Sequence, residues 1–119
     1  MKTKTSELTG VALDYAVSKC DERSEPELLN DFATAWFTWG NAHYSTNWAL
    51  AGPIIEREKI DLNYFPDGSY ENGGAWMATL TNGPAVSEEV GPTPLVAAMR
   101  CYVASKLGDE VEIPEELST

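Results

Sequence analysis

Few residues in this chain have the types and spacing that chemistry requires. His43 is the single histidine, which excludes a histidine-rich metal site. No C-x-x-C occurs, and zinc held by Cys20, Cys101 and His43 would need three distant segments to converge. A thiol–imidazole pair drawn from Cys101 and His43 would place its nucleophile in mid-helix beside core-facing residues, where cysteine serves as a small hydrophobe. Glu56 and Glu58 would share one strand face and could act as acid and base. Alternating with Arg57 and Lys59, they read more simply as a solvated face. Neither G-x-x-x-x-G-K-[ST] nor G-x-G-x-x-G is present, and Gly73-Gly74 follows a turn instead of leading from a strand into a helix. A non-enzyme without cofactor or metal is expected.

What remains is a run of aromatic and small polar residues, His43 to Pro53, read as a turn-rich segment. Large aromatics in a loop either plug the core from the side or line a recess. In the second case Tyr44, Trp48 or Trp76 would stack on a planar ligand while Ser45, Thr46 and Asn47 donate hydrogen bonds. Arg57, just downstream, and Arg100, on a helix otherwise poor in charge, are the cations that would meet an anionic ligand. Each is also a natural ion-pair partner for the chain's many carboxylates.

Those carboxylates set the overall charge. The chain has 119 residues, 19 acidic against 8 basic, for a formal charge of −11. Such a balance repels phosphate backbones and anionic membranes, so no non-specific nucleic-acid or membrane binding is expected. Asp109, Glu110, Glu112, Glu115 and Glu116 fall near the C-terminus and read as an acidic tail over residues 109–119, leaving −6 for residues 1–108. With 43% hydrophobic residues the chain can bury a core, and its length suits one domain over residues 1–119. Apolar runs are far shorter than the roughly 20 residues that span a bilayer. Met1-Lys2-Thr3-Lys4-Thr5-Ser6-Glu7 lacks the apolar stretch of a secretory signal, and two distant cysteines suit a reducing compartment. A cytoplasmic protein is expected.

The elements that would position these side chains are unevenly marked. Thr93 as N-cap, Pro94 at the first helical position and Gly108 after the last turn bracket a helix. Its stripe is Leu95, Met99, Tyr102, Val103 and Leu107. A second helix runs from about Thr9 to Cys20, with Leu13, Ala16, Val17 and Cys20 on one face. Ser24-Glu25-Pro26-Glu27 has capping-box spacing and predicts a short helix, followed by an irregular or strand segment over 33–39. Residues 53–62 read as sheet, being β-branched without a helical stripe. Phe65-Pro66-Asp67-Gly68-Ser69 and Asn72-Gly73-Gly74 read as turns, Ala75 to Leu80 as a strand closed by Thr81-Asn82-Gly83-Pro84, and Pro84 to Pro92 as a loop. Val111-Glu112-Ile113 reads as a short terminal strand. The sum is an α+β domain, a small antiparallel sheet packed with an N-terminal and a C-terminal helix.

Three stretches carry a family resemblance. Ser6-Glu7-Leu8-Thr9-Gly10 with Leu13-Asp14 and Ala16-Val17 resembles the opening of NinX-like proteins of lambdoid phages. Tyr44-Ser45-Thr46-Asn47-Trp48, then Gly52-Pro53-Ile54-Ile55-Glu56-Arg57-Glu58, resembles that family's central motif. Gly91-Pro92-Thr93-Pro94-Leu95-Val96-Ala97-Ala98-Met99-Arg100 through Gly108 and Val111-Glu112-Ile113-Pro114 resembles its closing helix and tail. The chain departs from the pattern at Asn47, where the family leads one to expect an acidic residue, and at Ala51, where it leads one to expect glycine. The resemblance implies a small phage accessory protein working in the host cytoplasm, with a helix–sheet–helix sandwich; it supplies no activity.

Two functions fit these readings. One is capture of a small nucleotide-like host signalling molecule by the 43–53 segment, Trp76 and the two arginines. The other is contact between the acidic surface and a host protein. Four tryptophans on a small domain also suit self-association as a homo-oligomer.

Overall fold

The computed structural model describes residues 2–20, 43–65 and 75–113. In chain order these form β1 (Lys2–Lys4), a 3-10 turn (Thr5–Glu7), α1 (Gly10–Cys20), α2 (Trp48–Glu58), β2 (Asp61–Phe65), β3 (Ala75–Asn82), β4 (Ala85–Gly91), α3 (Pro94–Leu107) and β5 (Glu110–Glu112). The class is α+β. Among the described residues there are two antiparallel sheets, β2-β3-β4 and β1-β5, and a third helix precedes the larger sheet. The predicted helix from Ser24, the segment 33–39 and the turns over 66–69 and 72–74 lie outside the described residues.

The helix α3 is the centre of the packing. Its caps behave as their residue types require: the Thr93 side chain accepts from the Val96 N–H at 3.1 Å, and the Gly108 N–H donates to the Ala104 carbonyl at 3.0 Å. Residues Leu95 and Ala97 to Val103 are buried, so the inward surface is wider than one stripe, while Leu107 is exposed. A helix buried almost all round needs neighbours on several sides, and α3 packs against β3 and β4 on one and α1 and α2 on others. Small residues make this approach possible. A Cβ on Gly91 would sit 2.7 Å from the Ala97 backbone nitrogen and 2.9 Å from Val96 Cγ1, so strand β4 reaches the first turns of α3 through a missing side chain.

The sheet follows from its hairpin. Gly83 has φ +63°, and with Pro84 it forms the two-residue loop that pairs Asn82 with Ala85. Alternation along β3 then turns Ala78 and Leu80 onto the core, with Leu62 of β2 packed beside them. Residues 85–91, predicted as a loop, are therefore a strand. Its glutamates mask any apolar pattern, but every residue has a register partner on β3.

A second correction concerns residues 53–62. Trp48 to Glu58 is helical, with Asn47 as N-cap accepting from the Ala49 N–H at 2.9 Å and Lys59 closing it in the left-handed conformation. Only 61–65 is strand. Leu50, Ala51, Ile54 and Ile55 recur at i, i+1, i+4 and i+5 and press Ala51 and Ile54 into the core. Pro53 removes the N–H that would meet the Ala49 carbonyl, but both residues face solvent, where water can serve that carbonyl. Ala51, where glycine was expected, is fully buried on the inner face.

Strand β5 begins one residue before the predicted 111–113, and it pairs with β1 in the register Lys2↔Glu112, Thr3↔Val111, Lys4↔Glu110. Residues 110–113 are thus part of the folded body, with Val111 and Ile113 in the core and basic residues directly across from Glu110 and Glu112. Thr5 strengthens the joint, donating its hydroxyl to the Gly108 carbonyl at 2.6 Å and its N–H to the Asp109 carbonyl at 2.8 Å.

Candidate functional site

The 43–48 segment is a turn leading into α2. The Thr46 N–H reaches back to the His43 carbonyl at 3.3 Å, and Asn47 caps the helix, so the first helical residue is Trp48. Tyr44 and Ser45 are buried; Thr46 and Asn47 are exposed, and the Trp48 indole is 54% exposed. Tyr44 therefore plugs the core from the side, while Trp48 stands in solvent. The Asn47 carbonyl oxygen is engaged in capping, a task asparagine and aspartate perform equally well.

Under this turn lies a group that the sequence reading passed over. Asp14, midway along α1, is buried, and its carboxylate accepts the Ser45 N–H at 2.7 Å. Its other oxygen lies 3.6 Å from Nδ1 of His43, whose ring is 61% exposed. Burial pushes the Asp14 carboxyl above its usual range; hydrogen bonds from Ser45 and the nearby His43 oppose that rise. The available signal was an aspartate inside the apolar run Leu13 to Val17, where a charge needs a partner.

The two arginines have different surroundings. Arg57 is half-exposed near the end of α2; its Nε donates to Glu58 at 3.0 Å and its Nη2 to the Tyr102 hydroxyl at 3.1 Å. The guanidinium carbon sits 5.9 Å from the Tyr102 ring centre, as does the Lys106 ammonium. Arg100 is only 9% exposed. Its Nε donates to the Leu8 carbonyl and its Nη1 to the Val90 carbonyl, both at 2.7 Å. In a ladder that starts from a two-residue loop, the Val90 carbonyl points away from β3, so Arg100 satisfies an acceptor on the sheet edge. Burial draws its pKa down and the neighbouring Glu89 counters that.

Trp76 is half-buried on the core side of β3, beside Tyr64 of β2, with ring centres 5.1 Å apart. The eight predicted site residues are thus placed in four settings. Tyr44 to Trp48 are contiguous around the turn. Arg57 lies nine positions beyond Trp48, half a revolution and about 13 Å along the helix. Trp76 belongs to an aromatic pair on the sheet, and Arg100 to the scaffold beneath it. Cys101 is buried, donates to the Ser87 carbonyl at 3.1 Å, and its thiol is pushed up to about 12 by burial, which suits a core residue and not a nucleophile.

A separate open recess of about 500 Å³ is lined by Lys4, Ser6, Glu89, Asp109 and Glu110. It lies where β1 and the 3-10 turn meet β4 and the link from α3 to β5. Burial raises the Glu89 carboxyl, Arg100 draws it down, and Asp109 adds to the rise. Three carboxylates against the Lys4 ammonium and the nearby Arg100 guanidinium leave a net negative charge here.

Fold and sites together define a small α+β domain in which, among the described residues, Arg57 and Arg100 serve neighbouring or internal groups, Trp48 is exposed and an acidic recess is open. The family model described as "Bacteriophage P22, NinX" matches residues 4–106, from the end of β1 nearly to the end of α3. The chain belongs to this NinX family and is a phage accessory protein. A search of curated proteins found no match. Among the described residues no helix is long and apolar enough to cross a membrane.

Proposed function

We propose that this protein is a non-enzymatic accessory factor that acts by contact with a basic host protein, admitting a lysine or arginine side chain to the recess lined by Lys4, Ser6, Glu89, Asp109 and Glu110. The observation that carries this reading is the recess itself. Its three carboxylates stand where β1, β4 and β5 meet, and with Lys4 paired in register with Glu110 and Arg100 near Glu89 the recess keeps a net negative charge through Asp109. Host lysate passed over immobilised wild type and over an E89Q/D109N/E110Q variant tests it. A host protein retained by wild type, released at high salt and lost with the variant is the expected outcome. Equal recovery of every retained protein by both forms would falsify this reading.

Capture of a nucleotide-like host signal is the second reading, and the exposed Trp48 indole is what favours it. Beside Thr46 and the N-terminal turn of α2, the indole offers a stacking surface next to the positive end of a helix dipole. The scaffold role of Arg100 removes one of the two cations this reading called on. Calorimetry against cyclic and ADP-ribose-type nucleotides checks it. Heat that disappears in Trp48→Ala supports capture, and silence at tens of micromolar ligand counts against it.

A further inference from the structure

We propose that His43 and Asp14 form a proton-sensitive latch that holds the 43–47 turn, and with it Trp48 at the head of α2, against helix α1. The placement of Asp14 motivates this. Aspartate is a weak helix former and costly to bury, yet it stands 3% exposed among Leu13, Tyr15, Ala16 and Val17, all of them buried. The Ser45 N–H at 2.7 Å explains an acceptor at this position but not a charge, since asparagine would accept the same bond without the desolvation cost of an ion. Only a carboxylate responds to the charge of the imidazole 3.6 Å away.

Among the described residues, Arg57 and Glu58 of α2 and Arg100 and Lys106 of α3 have other partners. On α3, Arg100 holds the Leu8 and Val90 carbonyls, and the Tyr102 hydroxyl donates to the Cys20 carbonyl at 3.4 Å. On α2, Glu58 meets Arg57 and Lys106. Lys19 of α1 itself is exposed. Among the described residues, His43 is the charged neighbour that acts on the Asp14 carboxylate, and Ser45 is its hydrogen-bond donor. The latch is an ion pair only while the Asp14 carboxyl is ionised and the imidazole carries its second proton. Burial of Asp14 raises the pH at which its carboxylate forms.

Nuclear magnetic resonance of the full chain tests the latch through the Ser45 amide, whose exchange protection and proton shift are followed from about pH 4 to about pH 8.5. Wild-type protection is highest at the acid end, declines as the buried Asp14 carboxylate ionises, and falls about threefold further toward the alkaline end, the size appropriate to a half-solvated ion pair. His43→Gln removes the alkaline fall and keeps the acid one. Asp14→Asn flattens the profile. Because His43 is a surface ring, its variant folds whether or not the aspartate variant does, and it decides the matter. A His43→Gln profile that superimposes on wild type overturns the latch. The readout is one backbone amide, so its outcome is separate from whichever partner or ligand the protein takes.

Discussion

Arg57 and Arg100 sit on packed neighbouring helices and are put to opposite uses. Arg100 projects from α3 inward and joins the carbonyl of Leu8, 92 positions earlier, to the carbonyl of Val90 at the sheet edge. Arg57 lies on the surface of α2, sharing Glu58 and the Tyr102 hydroxyl and keeping about half its side chain in water. The same residue type is a structural cross-link in one place and a surface cation in the other. The difference lies in how many buried carbonyls need a donor, which depends on pairing across the whole fold. A charge on a helix otherwise poor in charge is therefore as much a mark of scaffold as of site.

Breaking the inner arginine is expected to have the largest effect. Arg100→Ala leaves two carbonyls without their charged donor and should cost about 3–5 kcal/mol in urea unfolding. Arg100→Lys should recover only part of this, because one ammonium cannot span both carbonyls as the planar fork does. Gly91→Ala comes next. A methyl at 2.7 Å from the Ala97 backbone forces β4 off the head of α3, and a loss of about 2–3 kcal/mol is expected, visible as a lower thermal midpoint. Tyr102→Phe removes the acceptor of Arg57 and the donor to Cys20 while leaving the ring in place, for about 1 kcal/mol. Arg57→Ala should stay within about 1 kcal/mol by the same measurement. If Arg57→Ala proved as damaging as Arg100→Ala, the contrast between the two helices would collapse.

A pH series extends the comparison to a second buried charged group, Asp14. Its folded pKa is raised above the ordinary carboxyl value of 3.8, so the folded chain binds a proton that the unfolded chain has already released. This group's contribution to stability is present at acid pH and declines as pH rises from the unfolded value through the raised folded one. Asp14→Asn removes that decline, so its stability relative to wild type should improve as pH rises above the ordinary carboxyl value of 3.8. Parallel unfolding curves across that range for both proteins would contradict the sign.

Much of this fold is legible in short stretches of sequence, wherever local chemistry alone decides the conformation. Thr93, Pro94 and Gly108 mark both ends of α3, the run Ala75 to Leu80 marks most of β3, Gly83-Pro84 marks the turn that ends it two residues later than predicted, and Val111-Glu112-Ile113 marks most of β5. Where long-range pairing decides, the local signal misleads. Strand β4 contains Glu88 and Glu89 and is held by its ladder to β3; β1 is three residues whose only argument for a strand is β5 opposite. Helix α2 carries Gly52, Pro53 and two isoleucines, each a discouragement, and is rescued by the Asn47 cap and the burial of Ala51 and Ile54. The candidate site follows the same division. The aromatic turn at 44–48 is visible as a run, and the structure keeps it as one. The recess is built from residues 4, 6, 89, 109 and 110, which only the folded chain brings together.

That joint of β1 and β5 also orders events in time. Lys4 faces Glu110, and Thr5 is anchored on Gly108, 103 positions later, and on Asp109, so these residues wait for partners made much later. At about 5–20 residues per second of synthesis, on the order of ten seconds pass between the appearance of one edge and the arrival of the other. Through that interval the first strand has no β5 to pair with, and the Leu8 carbonyl has no Arg100. The acidic recess comes into being only when synthesis has passed Glu110, so a nascent or truncated chain lacking that stretch has no such surface to offer a partner.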